Sequence, residues 1–351
     1  MIQMTPNPIL NTLPLGPQWP TLDPFLFCAY HDDAYPAANA DMSPKASLAG
    51  RNMGQDFSRK DGWSMYHGHS VPGFPAHPHR GFETVTIVRK GLIDHSDSLG
   101  ATARFGQGDV QWLTAGKGIV HAEMFPLLNG AAGNPLELFQ IWLNLPALSK
   151  MAEPHFTMFW ADDIPHRVVK DANGLETFVS VIAGQLTEVD KPLKPPPDSW
   201  AAQAQADVAI WTLHMQPGAR YALPAANPGT RRKLYFFKGQ SVHVGGQDVR
   251  SHSALELQGD AVVELLNGNQ EAEFLLLQGR PIAEPIAQYG PFVMNTQVEI
   301  RQTIADYQRT QFGGWPWADP APTHGSNPAR LATHTGGLKE SPAPVKIGHI
   351  K

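Results

Sequence analysis

Short apolar runs recur along the chain and are separated by turn residues. The runs are rich in β-branched and aromatic side chains, and most of them are closed by Gly, Asn or Asp. This pattern is typical of antiparallel strands in a barrel or a sandwich. We therefore predict an all-β fold. The clearest runs cover residues 84–88, 110–113, 137–145, 178–184, 233–239 and 273–279.

The order of these signals occurs twice. GFETVTIVRKG, at residues 81–91, is followed by a Gly-Asp turn at 108–109, and RRKLYFFKG, at residues 231–239, is followed by another at 259–260. Repetition of this kind indicates a duplicated unit. We expect two tandem barrels followed by a segment that packs back on them. The expected bounds are residues 1–150, 151–285 and 286–351.

Three stretches do not fit the strand pattern. Residues 34–70 are polar, contain Gly and Pro, and are longer than an ordinary connecting loop. We interpret them as a surface insertion in the first barrel, with a lid over a pocket as the alternative. Residues 191–198, KPLKPPPD, are expected to form an extended spacer. Residues 315–351 are rich in Pro and Gly without periodicity, which favours a tail that wraps the surface.

One helix is predicted near the end of the chain. Thr296 and Glu299 have the spacing of a capping box, apolar residues recur at Ile300 and Ile304, and Gly313 is the expected stop. The uncharged stretch just before it, GPFVMN at residues 290–295, is expected to be a buried strand or turn that docks the helix on a barrel.

Composition excludes several classes of protein. The 351 residues are 42% hydrophobic and 17% charged, with a formal net charge of −5, so the chain has no basic surface for phosphates and we expect no direct contact with nucleic acid. Cys28 is the single cysteine, which excludes an internal disulfide and a thiolate metal cluster. No apolar run reaches the roughly 18 residues of a membrane span, and the first residues lack the basic start of a signal peptide. We expect a cytoplasmic protein without a membrane partner.

Two pairs of residues indicate a metal site. His77 and His79 flank Pro78, and because side chains alternate along a strand both imidazoles project from one face. His121 and Glu123 form a second pair with the same spacing. If the two strands are neighbours, three imidazoles and a carboxylate converge, a donor set that suits Fe, Mn, Ni, Cu or Zn. The alternative for either pair alone is a set of polar residues in a turn.

Other polar residues carry weaker signals. Glu83 has the strand parity of His79, but lies about 13 Å away along an extended chain, so we interpret it as a carboxylate behind the ligands that orients a histidine, or else as a solvated charge. His67 and His69 are interpreted as loop residues of the insertion. The second barrel has no counterpart of the histidine pairs and is expected to be free of metal; at residues 217–229 it reads PGARYALPAANPG.

At these residues the sequence resembles the pirin family of the cupin superfamily. The resemblance implies two cupin barrels, of the double-stranded β-helix or jelly-roll type, and an iron ion in the first. It also places residues 290–295 against the first barrel. The insertion and the long tail depart from shorter pirins, so the resemblance extends to the metal site and not to pocket access or substrate. The segments that carry the resemblance are LDPFLF at 22–27, GFPAHPHRGFETV at 73–85, GDVQWLTAGKGIVHAEM at 108–124 and EPIAQYGPFVMNT at 284–296.

The resemblance also implies ligands and a function. By motif position the iron ligands are His77, His79, His121 and Glu123. Some pirins are similar in activity to quercetinases, so we expect a quercetin 2,4-dioxygenase that uses Fe(II) and dioxygen to open a flavonol, with Mn, Ni, Cu or Zn as alternative metals. Glu123 would act as the general base, and Phe74 would be a pocket wall. The alternative is an iron-dependent redox sensor that acts through protein partners. A closed structural metal site is a third interpretation.

Overall fold

The computed structural model describes residues 7–187 and 191–343. The ends of the first predicted barrel and of the predicted tail, residues 1–6 and 344–351, lie outside the described residues. The strands of the first part of the chain are β1 (Ile9–Pro14), β2 (Phe25–Tyr35), β3 (Gly73–His79), β4 (Phe82–Lys90), β5 (Leu92–Asp97), β6 (Thr102–Gly106), β7 (Val110–Thr114), β8 (Ile119–Met124), β9 (Asn134–Asn144) and β10 (His155–Phe159).

The second part of the chain is also built from strands. They are β11 (His166–Lys170), β12 (Glu176–Ala183), β13 (Ala209–Met215), β14 (Arg220–Leu223), β15 (Arg231–Lys238), β16 (Ser241–Val244), β17 (Gln247–Arg250), β18 (Ser253–Leu257), β19 (Val263–Asn267) and β20 (Ala272–Gly279). The last elements are β21 (Ala287–Tyr289), β22 (Phe292–Met294), α1 (Gln297–Thr310), β23 (Leu331–Thr333) and β24 (Lys339–Glu340). Short 3₁₀ turns cover Lys60–Gly62, Ala147–Ser149, Trp200–Ala202, Ala204–Ala206 and Gln311–Gly313.

Two pairs of antiparallel sheets form two barrels. The first barrel consists of a five-stranded sheet, β10-β7-β4-β9-β2, and a six-stranded sheet, β24-β23-β6-β5-β8-β3. The second consists of a seven-stranded sheet, β1-β18-β15-β20-β13-β12-β11, and a four-stranded sheet, β14-β19-β16-β17. The prediction of an all-β fold with one short helix is confirmed, and each of the six predicted runs lies in a strand to within one residue at its end. These runs succeeded as predictors because each supplies a buried face of a sheet.

The barrels share a hydrophobic core. Outward-facing side chains of the five-stranded sheet, such as Trp112 and Phe139, pack with Tyr235 and Leu275 from the seven-stranded sheet. Trp19 stacks on Tyr235 with ring centroids 5.1 Å apart. Because these residues are almost fully buried, the two barrels are joined by a packed interface, across which much apolar area is removed from water.

Strand pairing crosses the division that we predicted at residues 150 and 151. β1 pairs with β18 of the second barrel, and β10 pairs with β7 of the first. The division itself stays a prediction, as does the metal-free state of the second barrel. The interior of that barrel is filled by apolar side chains, among them Trp211, Phe236 and Phe274.

The insertion differs from our interpretation of it as a surface feature. Trp63, Met65 and Tyr66 are buried in the core of the first barrel. Arg51 stacks over the Trp63 ring at 3.4 Å and forms a buried ion pair with Asp56 at 2.8 Å. The segment therefore completes one wall of the barrel although its sequence is largely polar.

The helix and the strand before it lie as predicted. The capping box of Thr296 and Glu299 is confirmed. The helix ends earlier than expected, because Gln311, with φ of 49°, takes the left-handed position that we had assigned to Gly313. β22 is buried and its Phe292 bridges to Arg80, so this strand lies between the helix and the first barrel.

Candidate metal centre

Two neighbouring strands bring the predicted histidines together. β3 pairs with β8, and His77 lies directly opposite His121. Directly opposed residues of an antiparallel pair project from the same face. The potential ligand atoms of His77, His79 and His121 all lie within 4.8 Å of one another. β3 and β8 are thus neighbouring strands, as the convergence of the two predicted pairs requires.

A β-bulge aims the first of these histidines. The pairing of β3 with β8 shifts register between Phe74 and His77. Within the bulge, the carbonyl oxygen of Pro75 accepts a hydrogen bond from His77 Nδ1 at 2.8 Å. That bond fixes the tautomer and leaves Nε2 as the nitrogen available to a metal, the usual arrangement for a ligating histidine.

The three histidines have the properties expected of metal ligands. His121 has no exposed surface, and neither of its ring nitrogens has a hydrogen-bond partner. A buried polar atom without a partner is costly, so an interaction that supplies one is favoured. Burial lowers the pKa of His77 to about 4 and lowers the pKa values of His79 and His121 well below their usual range, with the neighbouring imidazoles adding to the effect. Neutral imidazole is the form that binds metals, and these residues fit a metal ion.

Glu123 lies beside the cluster. Its Oε2 is 3.9 Å from His121 Nε2. Its Oε1 is 3.1 Å from the Thr86 hydroxyl, and Gln140 Nε2 donates to Oε2 at 3.4 Å. Burial raises the pKa of the Glu123 carboxyl. The structure thus gathers three of the four predicted ligands closely and holds the fourth next to them; ligation by all four stays a prediction.

Glu83 does not orient a histidine, and that part of our interpretation was wrong. Its carboxylate is fully buried and accepts hydrogen bonds from Thr114 at 2.6 Å and from Ser199 at 2.5 Å. The physical reason is the turn at Arg80 and Gly81 between β3 and β4, where Gly81 has φ of 86°. A turn ends the alternation of faces, so parity counted from His79 does not carry across it.

Two histidines of the cluster, His77 and His79, line a cavity of about 920 Å³. Phe74 lines this cavity, stacks on Tyr66 and has its ring 6.4 Å from that of His77; its role as a wall for a substrate stays a prediction. The other aromatic walls include Phe27, Phe125 and Trp142. His67 and His69 also line the cavity, although they are not part of the three-histidine cluster.

Several residues of the site were missed from the sequence. His95, on β5, lies directly opposite Glu123, is fully buried, and contacts Asp97 with Nε2 and Oδ2 3.2 Å apart. Its ring is 5.5 Å from that of His121. The spacing of His95 and Asp97 repeats that of the two recognised pairs and was the available signal. Thr86 and Gln140 gave none, because a single polar residue in an apolar strand has no characteristic pattern.

Comparison with known proteins identifies two matched domains. A family model described as Pirin matches residues 9–143, and one described as Pirin C-terminal cupin domain matches residues 210–313. Human pirin is 33% identical over 247 residues, which cover 69% of this chain and 78% of that protein.

No helix within residues 7–187 and 191–343 has the length and apolar character needed to cross a membrane.

Relatives with an enzyme name also match. A Pseudomonas aeruginosa protein provisionally named quercetin 2,3-dioxygenase is 37% identical over 240 residues, which cover 68% of this chain and 79% of that protein. A crystal structure described as quercetin 2,3-dioxygenase from Acinetobacter baumannii superposes with a TM-score of 0.68 at 28% identity, over 87% of this chain and 98% of that one. With both domains matched, and with relatives above 30% identity across most of their length, this chain belongs to the pirin family of cupin proteins.

Proposed function

We propose that this protein is a flavonol dioxygenase of the quercetinase type, with an iron ion held by His77, His79, His121 and Glu123. The observation that carries the proposal is the cluster of three neutral imidazoles, two of them buried, beside a cavity with aromatic walls that His77 and His79 line. The names of the Pseudomonas and Acinetobacter relatives support the same substrate class. Iron is the metal proposed, and Mn, Ni, Cu and Zn accept the same donor set.

The metal and the protein have separate tasks in this reaction. A bound iron ion supplies a Lewis acid that lowers the pKa of a substrate hydroxyl, and a redox centre for dioxygen. Glu123 takes the proton of the flavonol 3-hydroxyl on a carboxylate oxygen, as a general base within hydrogen-bonding reach. Thr86 and Gln140 hold that carboxylate in place.

The cavity walls bind the substrate and exclude water. Phe74 and Trp142 present aromatic surfaces next to the histidines, since their rings lie 6.4 Å from the ring of His77 and 5.5 Å from that of His79. A planar polyphenol packs against such surfaces and displaces water from them. The overall reaction consumes one dioxygen for each flavonol that is opened and releases one carbon monoxide.

The test combines metal content with turnover. Iron-loaded wild type is expected to consume oxygen and release carbon monoxide with quercetin, while metal-free protein does neither. His121→Ala is expected to lose most bound metal, because it removes a central ligand, and His69→Ala is the matched control that should retain it. Equal metal content in both variants would contradict the site. Iron-loaded wild type that consumes no oxygen with any flavonol would overturn the enzyme and favour the redox-sensor alternative.

A further inference from the structure

Residues 315–343 lie outside both matched domains, yet they contact the first barrel along their length. Trp317 Nε1 donates to the carbonyl oxygen of Asp97 at 2.9 Å. The backbone N–H of His324 donates to Asp94 Oδ2 at 2.8 Å. Farther on, β23 pairs with β6 and buries Ala332. The tail is therefore attached on both sides of the stretch between Trp317 and His324.

The stretch between these attachments reaches the cavity. Asp319, Pro320, Ala321 and Thr323 line it. The backbone N–H of Ala76 donates to the carbonyl oxygen of Pro320 at 2.7 Å. Ala76 lies in the bulge of β3, where the extra residue has no partner on β8. The tail thus satisfies a backbone group that the bulge leaves unpaired, one residue before the ligand candidate His77.

The insertion also contributes lining residues to the cavity. Asp41, His67 and His69 line it. These insertion residues are exposed, as are Asp319 and Pro320 of the tail, whereas Phe125 and Leu138 on the cavity wall are buried, so the insertion and the tail both contribute to the rim of a passage into the cavity. The width of this passage depends on the side chains of residues 319–323, because the tail is fixed at Trp317 and at His324.

We propose that residues 319–323 are the specificity-determining wall of the metal cavity, and that they select planar aromatic ligands by cross-section. Unsubstituted flavonols reach the histidine cluster. Flavonols that carry a bulky group on the ring that enters the cavity first are excluded. The choice of flavonols rests on the proposed function. The selection by size does not, because it concerns any ligand that enters the cavity past residues 319–323.

The test measures access without turnover. Iron-loaded protein is mixed with 2,2′-bipyridine or with the larger bathophenanthroline disulfonate, both of which form coloured iron complexes, and the initial rate of iron transfer is recorded. Ala321→Trp narrows the passage, and replacement of residues 319–323 by five glycines widens it while both attachments remain. Ala329→Trp makes the same substitution at an exposed tail position that does not line the cavity, and serves as the matched control.

Ala321→Trp is expected to slow transfer to the large chelator by about tenfold, the order that a modest steric misfit produces, with a smaller effect on bipyridine. The glycine variant is expected to reduce the difference between the two chelators, and Ala329→Trp to match wild type. Diethyl pyrocarbonate labelling of His77 in metal-free protein, read by mass spectrometry, should rank the variants in the same order without any metal. Folded Ala321→Trp with wild-type rates for both chelators and for labelling would overturn the proposal.

The outcome is separate from that of the proposed function. If wild type consumes no oxygen with flavonols but Ala321→Trp slows iron transfer, the tail is a wall of a site with another substrate. If wild type is active and the tail variants change neither access nor the ratio of kcat/KM between quercetin and a bulkier flavonol, the tail is only a structural element of the barrel.

Discussion

Glu123 has hydrogen-bond partners for both of its carboxylate oxygens, whereas neither ring nitrogen of His121 has one among the described residues. Thr86 and Gln140 lie within hydrogen-bonding distance of its two oxygens, and His95 lies opposite it on β5. The carboxylate is therefore held in one orientation whether or not a metal binds it. This suits a group that both completes the coordination of a metal and accepts a proton.

Glu123→Gln separates these two roles. The amide keeps the size and one oxygen of the carboxylate but cannot act as a base, so turnover per bound iron should fall at least about a hundredfold, the lower range for loss of a general base. Quercetin binding, measured anaerobically, should remain. The prediction is wrong if turnover per iron stays near that of wild type.

Glu83 is a second buried carboxyl, away from the metal candidates. Burial raises its pKa from 4.5 to about 7, against the opposing hydrogen bonds from Ser199 and Thr114. Between these two pH values the native protein binds more protons than the unfolded chain, so stability falls as pH rises. Below pH 4.5 Glu83 is protonated in both the native and the unfolded protein. Above pH 7 it is ionised in both, and the full cost of burying the carboxylate lowers the stability.

Glu83→Gln removes this titration. The free energy of unfolding of the variant, relative to wild type, should increase by on the order of 3 kcal/mol as pH rises from about 4.5 to about 7. Urea denaturation of both proteins across this range measures the difference. A difference that does not change with pH would show that the carboxyl titrates normally.

Strand parity located His77, His79, His121 and Glu123, because each pair lies within one uninterrupted strand. Strand parity failed for Glu83, because the chain turns at Gly81. A Cβ atom at this position would come within 1.9 Å of the Val293 carbonyl oxygen. Such contacts come from residues far away in the sequence. A single sequence does not reveal them.

At the scale of elements, Arg80 ties the helix to the first barrel. Its Nη1 lies 2.9 Å from Asp306 Oδ2, Nε donates to the carbonyl oxygen of Lys117 at 2.6 Å, and its guanidinium stacks over Phe312 at 4.4 Å. Arg80 directly follows the ligand strand β3. The helix therefore supports the strand that carries two of the ligand candidates.

Asp306→Asn tests this tie. It leaves the guanidinium of Arg80 without its carboxylate partner, and because Asp306 is partly exposed the free energy of unfolding should fall by about 1.5 to 3 kcal/mol, the range for a hydrogen bond to a charged group. Arg309 approaches the other oxygen of Asp306 from an exposed position. Arg309→Gln is thus the matched control, expected to cost less than about 0.5 kcal/mol. Equal melting temperatures of the two variants would contradict the role of Arg80.

The elements themselves were predictable wherever burial imposes a repeating pattern. The central strands and the capped helix follow from such patterns. The insertion was misread because Trp63, Met65 and Tyr66 form a single short apolar run within a polar segment, too short to show the period of a strand or a helix. Their burial depends on the barrel wall that they meet. Local sequence carries no information on that wall.

At the scale of the whole molecule, the core between the barrels should make them unfold together. Trp112 and Phe139 of one barrel and Tyr235 of the other are buried in this shared core, so unfolding of either barrel exposes apolar surface of both. Calorimetry is expected to show one transition, with a ratio of calorimetric to van't Hoff enthalpy of about 1. Two resolved transitions would show that the barrels are independent.

Phe139→Ala probes the same coupling. Truncation of this ring should lower the stability of the whole chain by about 3 to 5 kcal/mol and keep the transition single. Leu148→Ala is the control, because Leu148 is 99% exposed and its truncation should change little. Separation of the transition into two in Phe139→Ala would show that this core alone couples the barrels.

The crossed strands also set an order of events during synthesis. β1 pairs with residues 253–257, and β23 pairs with residues 102–104. Chains fold from the N-terminus as they are made. Residues 9–14 therefore cannot pair until most of the second barrel has been synthesised. The first barrel can bring its histidines together before residues 319–333 exist. The newborn protein therefore passes through a period in which the histidine cluster is open on the side where the tail later docks. We expect metal to enter most readily in that interval.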